Sequence, residues 1–369
     1  MKNLTTILIV DDSLIFRKIV QKCLDGEDDI KVVGSVRNGV KAIEFIKKER
    51  PDLVTLDIEM PEMNGIQTLS AVQEINAAND HADPIGVIML SAFTKKGADI
   101  TIKALEAGAF DFITKPEGND QQRNFSTLRR QLLAKIRYFT SRRIASQNKQ
   151  CPPVMPRPEE VIPEKIEIKE PISRITHTKY KAIMIGVSTG GPRALMSVIP
   201  ELCQRTNIPI MIVQHMPPKF TESLAESLNA KARFQVVEAY NNQTIQNEHV
   251  YIAPGGRHML VKKKGADIFI QTNEEPPVQG CRPSVDVLFE SASHIYGGDA
   301  IAVILTGMGT DGTDGLSYLK QRGVYVIAQD EASSVVWGMP GSAVRAGLVN
   351  DVQPLEKIPE CIANILKRV

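Results

Sequence analysis

No stretch of this sequence stays apolar for long enough to span a bilayer. The longest apolar runs, such as 183–187 and 301–305, have the length of a β-strand, against the roughly 18 residues a membrane crossing needs. No secretory signal is expected either, because strand-like sequence begins almost directly after Lys2, without an apolar segment and cleavage site. Cysteine is sparse: the five residues (Cys23, Cys151, Cys203, Cys281, Cys361) are odd in number and lack metal-site spacing. That usage argues against a disulfide-stapled fold and suits a reducing cytosol. Charge of neither sign is in excess, and a formal net charge of +1 implies no general attraction to nucleic acid or anionic lipid. The expectation is a cytoplasmic protein with no nucleic-acid partner and no membrane insertion, monomeric by default. What is present is ordinary for a globular chain, 43% hydrophobic and 24% charged over 369 residues, which is enough for two cores rather than one.

From residue 7 to about 140 two kinds of segment alternate. Short β-branched runs at 7–10, 32–36, 53–56, 87–90 and 110–113 are separated by helix-like segments at 14–24, 40–49, 65–77 and 97–107. Such alternation predicts an α/β fold of parallel βαβ units, and five strands fit a flavodoxin-like doubly wound domain over 1–140. The stretch 141–179 contains CPPVMPRPEEVIPEKIEIKEP, rich in Pro, Glu and Lys and poor in core-forming groups. It reads as a semi-extended linker. Strand-like runs resume at 182–187, 209–213, 249–253, 301–305 and 324–328, giving a second doubly wound α/β domain with a parallel sheet over 180–369. Two turn signals within 251–271, PGGR and KKGAD, predict an antiparallel hairpin on one edge.

In the first half, Asp11 and Asp12 end one predicted strand and Asp57 another, while Ser91 ends the fourth and Lys115 follows the fifth. Strand C-termini of a parallel sheet gather on one edge, so three carboxylates converge there. Their mutual repulsion calls for a hard, oxygen-loving cation such as Mg2+. A hydroxyl and an ammonium beside them suit a phosphoryl group. Taken singly, an Asp at a strand end is more often a solvated loop acid or a helix N-cap; the conjunction of five such residues carries the reading. The motifs DD at 11–12, D57 with Met60-Pro61 and Gly65, Ser91-Ala92 and Lys115-Pro116 resemble the receiver domain of bacterial response regulators, over 5–125. The resemblance implies that Asp57 accepts phosphate from a histidine kinase, that Asp11 and Asp12 hold Mg2+ with it, and that Ser91 and Lys115 contact the phosphoryl group.

In the second half, Gly186-Val187-Ser188-Thr189-Gly190 fits G-x-S-x-G at a strand-to-helix turn, where small neighbours expose a serine and leave backbone N–H groups for an oxyanion. Alone, the pattern is more often a plain Gly-rich turn. Of six histidines, His215 alone directly follows an apolar strand, in IMIVQHMPP, which brings it to the same sheet edge. The segment ILTGMGTDGTDG offers Asp311 and Asp314 after another strand; Asp311 lies closer to the strand end, and Asp314 fits a cap or flank of the next helix. The chain order Ser, His, Asp is not that of α/β-hydrolases. A rival reading takes GMGTDG (307–312) with Asp330 as a dinucleotide fingerprint, but it lies near the end of the chain and leaves Ser188 and His215 without a role. A DNA-binding output after the receiver would need a basic helix-turn-helix, which the α/β pattern does not provide.

The motifs IGVSTGGP, VQHMPP, IAPGGRHM, RPSVDVLFESAS, LTGMGTDG and DEASSVVWGMPG together resemble the catalytic domain of the chemotaxis protein-glutamate methylesterase family, over about 180–366. The resemblance implies Ser188 as nucleophile, His215 as base, Asp311 as orienting carboxylate, and Thr189 and Met308 at the oxyanion and substrate site. It also implies methyl-accepting chemotaxis receptors as substrates, glutamine deamidation beside ester hydrolysis, no cofactor for the esterase step, and control by the receiver.

Overall fold

The computed structural model describes residues 4–78, 83–118, 120–148 and 180–367. His81, Cys151, His177 and 149–179 of the expected linker lie outside the described residues.

The first unit runs β1 (Thr5–Val10), α1 (Leu14–Leu24), β2 (Ile30–Val36), α2 (Gly39–Lys48), β3 (Leu53–Asp57), α3 (Gly65–Ala77), β4 (Gly86–Ser91), α4 (Lys95–Glu106), β5 (Asp111–Thr114) and α5 (Gln121–Asn148). Its five strands pair in parallel in the order β2-β1-β3-β4-β5. β3 and β4 are buried at every residue, as strands covered by helices on both faces must be. The helices start where short polar side chains accept a backbone N–H: Ser13, Asn38, Asn64 and Thr94 cap α1 to α4. Sequence periodicity did not mark α5, whose exposed faces are rich in Arg and Gln. Leu128, Leu132 and Ile136 recur at helical spacing and bury it against the sheet, and it continues past residue 140 into the stretch expected to be linker.

The second unit runs β6 (Ala182–Val187), α6 (Gly191–Arg205), β7 (Ile210–Gln214), α7 (Phe220–Asn229), β8 (Gln235–Glu238), β9 (Gln243–Thr244), β10 (His249–Ile252), β11 (His258–Lys264), β12 (Asp267–Asn273), α8 (Val285–Tyr296), β13 (Ala300–Ile304), α9 (Thr313–Gln321), β14 (Tyr325–Gln329), α10 (Gly338–Arg345), β15 (Asp351–Gln353) and α11 (Ile358–Lys367). Its main sheet is parallel and seven-stranded, ordered β15-β14-β13-β6-β7-β10-β8. The hairpin β11–β12 is antiparallel as expected, but it forms a separate three-stranded sheet with β9 instead of extending an edge. The reason is that β10 is already paired on both sides, with β7 and β8, so the chain leaves the sheet through the PGGR turn. β11 then packs on α8, where the Val261 amide donates to Ser291 Oγ at 3.0 Å.

β6 lies between β13 and β7. Connections therefore leave its two sides in opposite directions, and a crevice opens at the C-terminal ends of these three strands. Ile185, fully buried in β6, belongs to the hydrophobic core of this unit. Ile185→Ala is expected to cost about 2–5 kcal/mol, read as a lower melting temperature of the unit it belongs to.

Candidate functional site

The acid pocket of the first sheet forms where β1, β3 and β5 end. Lys115 Nζ sits 2.7 Å from Asp11 Oδ2 and 2.8 Å from Asp57 Oδ1. Asp11 is fully buried and Asp57 nearly so, whereas Asp12 is exposed at the rim. One oxygen from each of the three carboxylates lies within 4.8 Å of the others. Asp11 Oδ2 is buried without a well-directed hydrogen bond. Burial pushes the Asp57 carboxyl up, Lys115 opposes this, and Asp11 adds repulsion; its pKa is raised to about 6. An oxygen-only donor set of three carboxylates against one ammonium leaves surplus negative charge and fits a hard divalent cation. The Ser91 hydroxyl is engaged elsewhere: it accepts from Thr101 Oγ1 at 2.8 Å and donates to the Gly97 carbonyl at 3.2 Å, both on α4. The expected phosphoryl contact is therefore not pre-formed, because a hydroxyl without a phosphoryl acceptor is satisfied by the nearest carbonyl.

In the second sheet Ser188 follows β6, His215 follows β7 and Asp311 lies in the loop after β13. These are three adjacent strands, so the crevice gathers all three residues. The serine turn is fixed by its backbone. The Ser188 amide donates to the Thr306 carbonyl at 2.9 Å, and the Ser188 carbonyl accepts from Gln214 Nε2 at 2.9 Å and the Gly191 amide at 2.8 Å. Gly190 adopts φ +78°, and a Cβ at Gly191 would meet Gln214 Oε1 at 1.9 Å, so this turn requires both glycines.

Asp311 is the most constrained side chain. His215 Nε2 donates to its Oδ2 at 2.6 Å, and the Val285 amide donates to the same oxygen at 2.7 Å. Its Oδ1 accepts from Ser284 Oγ at 2.7 Å and the Asp286 amide at 3.1 Å. The carboxylate thus sits on the N-terminus of α8, where free amides and the helix dipole favour negative charge. Burial disfavours the Asp311 anion, but His215 and these donors prevail and hold its pKa well below the carboxylate range. Burial likewise disfavours a charged His215, yet the hydrogen bond to Asp311, with Cys281 adding to it, raises the imidazole pKa to about 9.

The other ring nitrogen, His215 Nδ1, lies 3.7 Å from Cys281 Sγ. Among the described residues no hydrogen bond joins Ser188 to His215, so the expected Ser–His bond is not formed in this arrangement. The two residues still occupy neighbouring positions, because the register pairs Val187 with Gln214 on strands about 4.8 Å apart. The amides of Thr189 and Met308 donate to no protein acceptor among the described residues. The Thr189 hydroxyl does have a partner, Asp111 Oδ2 of the first unit at 3.0 Å, and Asp111 also pairs with Lys135.

Ser188, Thr189, His215, Cys281 and Met308 line one cavity of about 750 Å³, and Asp111 to Thr114 and Lys135 of the first unit form its opposite wall. The two units are docked through α4 and β5 against α7. Phe112 stacks on Phe220 with centroids 4.8 Å apart, Lys95 Nζ reaches Glu222 and Glu226 at 3.2 and 3.0 Å, and Asp99 accepts from Ser223 Oγ at 2.6 Å. On α5, Tyr138 Oη accepts from the Trp337 amide at 2.9 Å.

Two family models match the chain, CheB methylesterase over 183–362 and response regulator receiver domain over 7–125. A relative from Desulfotalea psychrophila, named protein-glutamate methylesterase/protein-glutamine glutaminase, is 43% identical over the full length of both chains. The chain belongs to the CheB methylesterase family. A relative of the same name from Trichodesmium erythraeum is 40% identical, covering 98% of each chain. The crystal structure of the Thermotoga maritima CheB methylesterase catalytic domain, 42% identical, covers 51% of this chain and 99% of its own, with a TM-score of 0.50.

Against this frame the dinucleotide reading of GMGTDG is excluded by a side chain. The amides of Gly312 and Gly315, at the start of α9, donate to Asp286 Oδ1 at 2.9 and 2.7 Å, where a pyrophosphate would need them. Asp314 flanks the first turn of α9 as expected. Ser284, Asp286, Gln214 and Asp111 were not singled out in sequence. The first two stand in RPSVD and Gln214 in VQHMPP, so the motifs contained them, but nothing in the spacing linked RPSVD to Asp311. Asp111 is an interdomain contact with no local signature.

If Asp311 holds up the imidazole, His215 in wild type titrates well above the usual value of about 6.5. In Asp311→Asn the carboxylate is lost, burial is opposed by Cys281 alone, and the midpoint falls from its wild-type value. Imidazole 15N shifts followed against pH check this, and an unmoved midpoint refutes the pairing.

Proposed function

We propose that this chain is a phosphorylation-regulated serine esterase that hydrolyses glutamate methyl esters of chemotaxis receptors and deamidates receptor glutamines. The observation that carries it is the gathering of Ser188, His215 and Asp311 on adjacent strand ends facing one cavity, with the imidazole bonded to a carboxylate fixed by a helix N-terminus.

In the reaction, which the neutral form of His215 carries out, Ser188 turns to its Nδ1 and gives up its proton as the serine oxygen attacks the γ-carbonyl of the ester. Asp311, bonded to Nε2, fixes the tautomer and stabilises the imidazolium. The Thr189 and Met308 amides hold the tetrahedral oxyanion. Methanol leaves with the proton from His215, or ammonia when the substrate is glutamine. His215 then deprotonates water, which hydrolyses the acyl-serine to glutamate. No cofactor takes part in this step.

Control comes from the first unit. Asp57 accepts phosphate from a histidine kinase. Asp11, Asp12 and Asp57 hold Mg2+, which neutralises phosphoryl charge, and Lys115 contacts the phosphoryl group together with Ser91 once its hydroxyl leaves α4. The unphosphorylated receiver covers the cavity against a large receptor helix. A phosphoryl group on Asp57 draws Lys115 from its present pairing, and Lys115 follows β5, which carries Asp111 and Phe112 into the interface. Phosphorylation thereby shifts the population toward an open arrangement. The sequence read as a linker beyond α5 joins a receiver domain to a catalytic domain beginning near 180. No helix among the described residues is long and apolar enough to cross a membrane, in keeping with a cytoplasmic enzyme that meets the cytoplasmic part of its receptors.

Methanol release from methylated receptor is expected to fall by about 10,000-fold or more in Ser188→Ala; retention of activity removes the serine mechanism. In wild type a small-molecule phosphodonor raises the rate, and Asp57→Asn abolishes that response. Lys95→Glu places like charge against Glu222 and Glu226, and is expected to raise the unphosphorylated rate several-fold while leaving the phosphodonor-stimulated rate near wild type. A lowered or unchanged unphosphorylated rate argues against the covering role of the receiver.

A further inference from the structure

Cys281 has no part in the reaction above, yet its sulfur is the atom facing the reactive edge of His215. The two ligand atoms, Sγ and Nδ1, are 3.7 Å apart. A tetrahedral Zn2+ with a Zn–N bond near 2.0–2.1 Å and a Zn–S bond near 2.3 Å holds such a pair roughly 3.5 Å apart. The separation of the two atoms is therefore close to that of two ligands of one ion. Asp311 belongs to the same cluster but sits on the opposite ring nitrogen. It would serve as the outer carboxylate that fixes a metal-bound imidazole, and its other oxygen is held by Ser284 and the Asp286 amide. Arg282, next in sequence, does not place its charge on the thiol, because its Nη1 donates to the carbonyls of Glu274 and Glu275. Both ligands line the large cavity, so an ion has a path in and open coordination positions for water.

We propose that His215 Nδ1 and Cys281 Sγ form an inhibitory site for a thiophilic divalent cation, with Zn2+ as the fitting ion. Binding releases to solvent the thiol proton and, from an imidazolium, the Nδ1 proton, and forms a Zn–thiolate bond beside the Zn–imidazole bond. It occupies the nitrogen that must accept the Ser188 proton, so the ion stops acyl transfer without touching the serine. The donor set separates this site from the acid pocket of the receiver: nitrogen and sulfur here select a soft or borderline ion, and carboxylate oxygens there select a hard one. The ligand pair stands on geometry alone, whereas the inhibition rests on the esterase reading.

The test uses the full chain with saturating Mg2+ throughout, so that the receiver acids are filled. Co2+ is titrated as a spectroscopic probe and Zn2+ as competitor. Wild type is expected to show a thiolate-to-cobalt absorption band saturating at one ion per chain and displaced by Zn2+. Cys281→Ser is expected to lose the band and to bind Zn2+ at least about 10-fold more weakly, while Cys361→Ser keeps both. A wild type without the band, or a band that survives in Cys281→Ser, overturns the site. In parallel, Zn2+ at the concentrations that displace Co2+ suppresses methanol release in wild type, and Cys281→Ser needs at least about 10-fold more for the same suppression; equal sensitivity overturns the inhibitory role. A chain that binds Co2+ through Cys281 yet releases no methanol even without Zn2+ counts against the esterase reading and leaves the metal site standing.

Discussion

The carboxylate of Asp311 is the point on which the second unit is organised. It is buried, and a buried anion survives only if every lone pair is met. Here four donors meet it: two amides and a hydroxyl at the start of α8, and the imidazole of His215. Each donor is thereby fixed as well. The loop after β13 is tied to α8, α8 to the crevice, and the imidazole ring to one orientation. Asp286 ties the same loop one layer out, accepting from the amides of Gly312 and Gly315, although burial and the neighbouring Asp311 push its pKa up to about 7.

That network sets the chemistry available. A histidine held by a fixed carboxylate is basic, and its free nitrogen is directed at whatever shares the cavity. In the arrangement described, that neighbour is Cys281 rather than Ser188. The proposed esterase and the proposed cation site are two uses of the same nitrogen, so they exclude each other. This exclusivity makes the thiol, in the proposed site, a brake instead of a bystander.

The receiver meets the site through shape and contact. Its β5 contributes Phe112 to the aromatic stack on Phe220 and Asp111 to the Thr189 hydroxyl, so one short strand reaches both the domain interface and the residue next to Ser188. The same strand ends beside Lys115, which pairs with Asp57. A phosphoryl-dependent move of Lys115 therefore has a short mechanical route to the cavity. Side-chain hydrogen bonds and ion pairs of α4 surround the aromatic contact at the interface, which suits docking that must be reversible.

Alternation of short apolar runs with helical periodicity placed the first parallel sheet and the five central strands of the second, missing only the edge strands β8 and β15, and strand-end position together with the motifs selected Asp57, Ser188, His215 and Asp311, because in a parallel sheet every strand delivers its last residue to the same edge. What lay beyond reach involves contacts between segments distant in sequence. That the β11–β12 hairpin forms its own sheet depends on β10 being already paired on both sides. That RPSVD serves Asp311 depends on where α8 packs. That Ser91 faces α4, that His215 faces Cys281, and that Asp111 holds Thr189 depend on side-chain directions and domain docking. Local sequence carries backbone periodicity and turn chemistry; the choice of partner for a buried polar group is made only when the chain has closed around it.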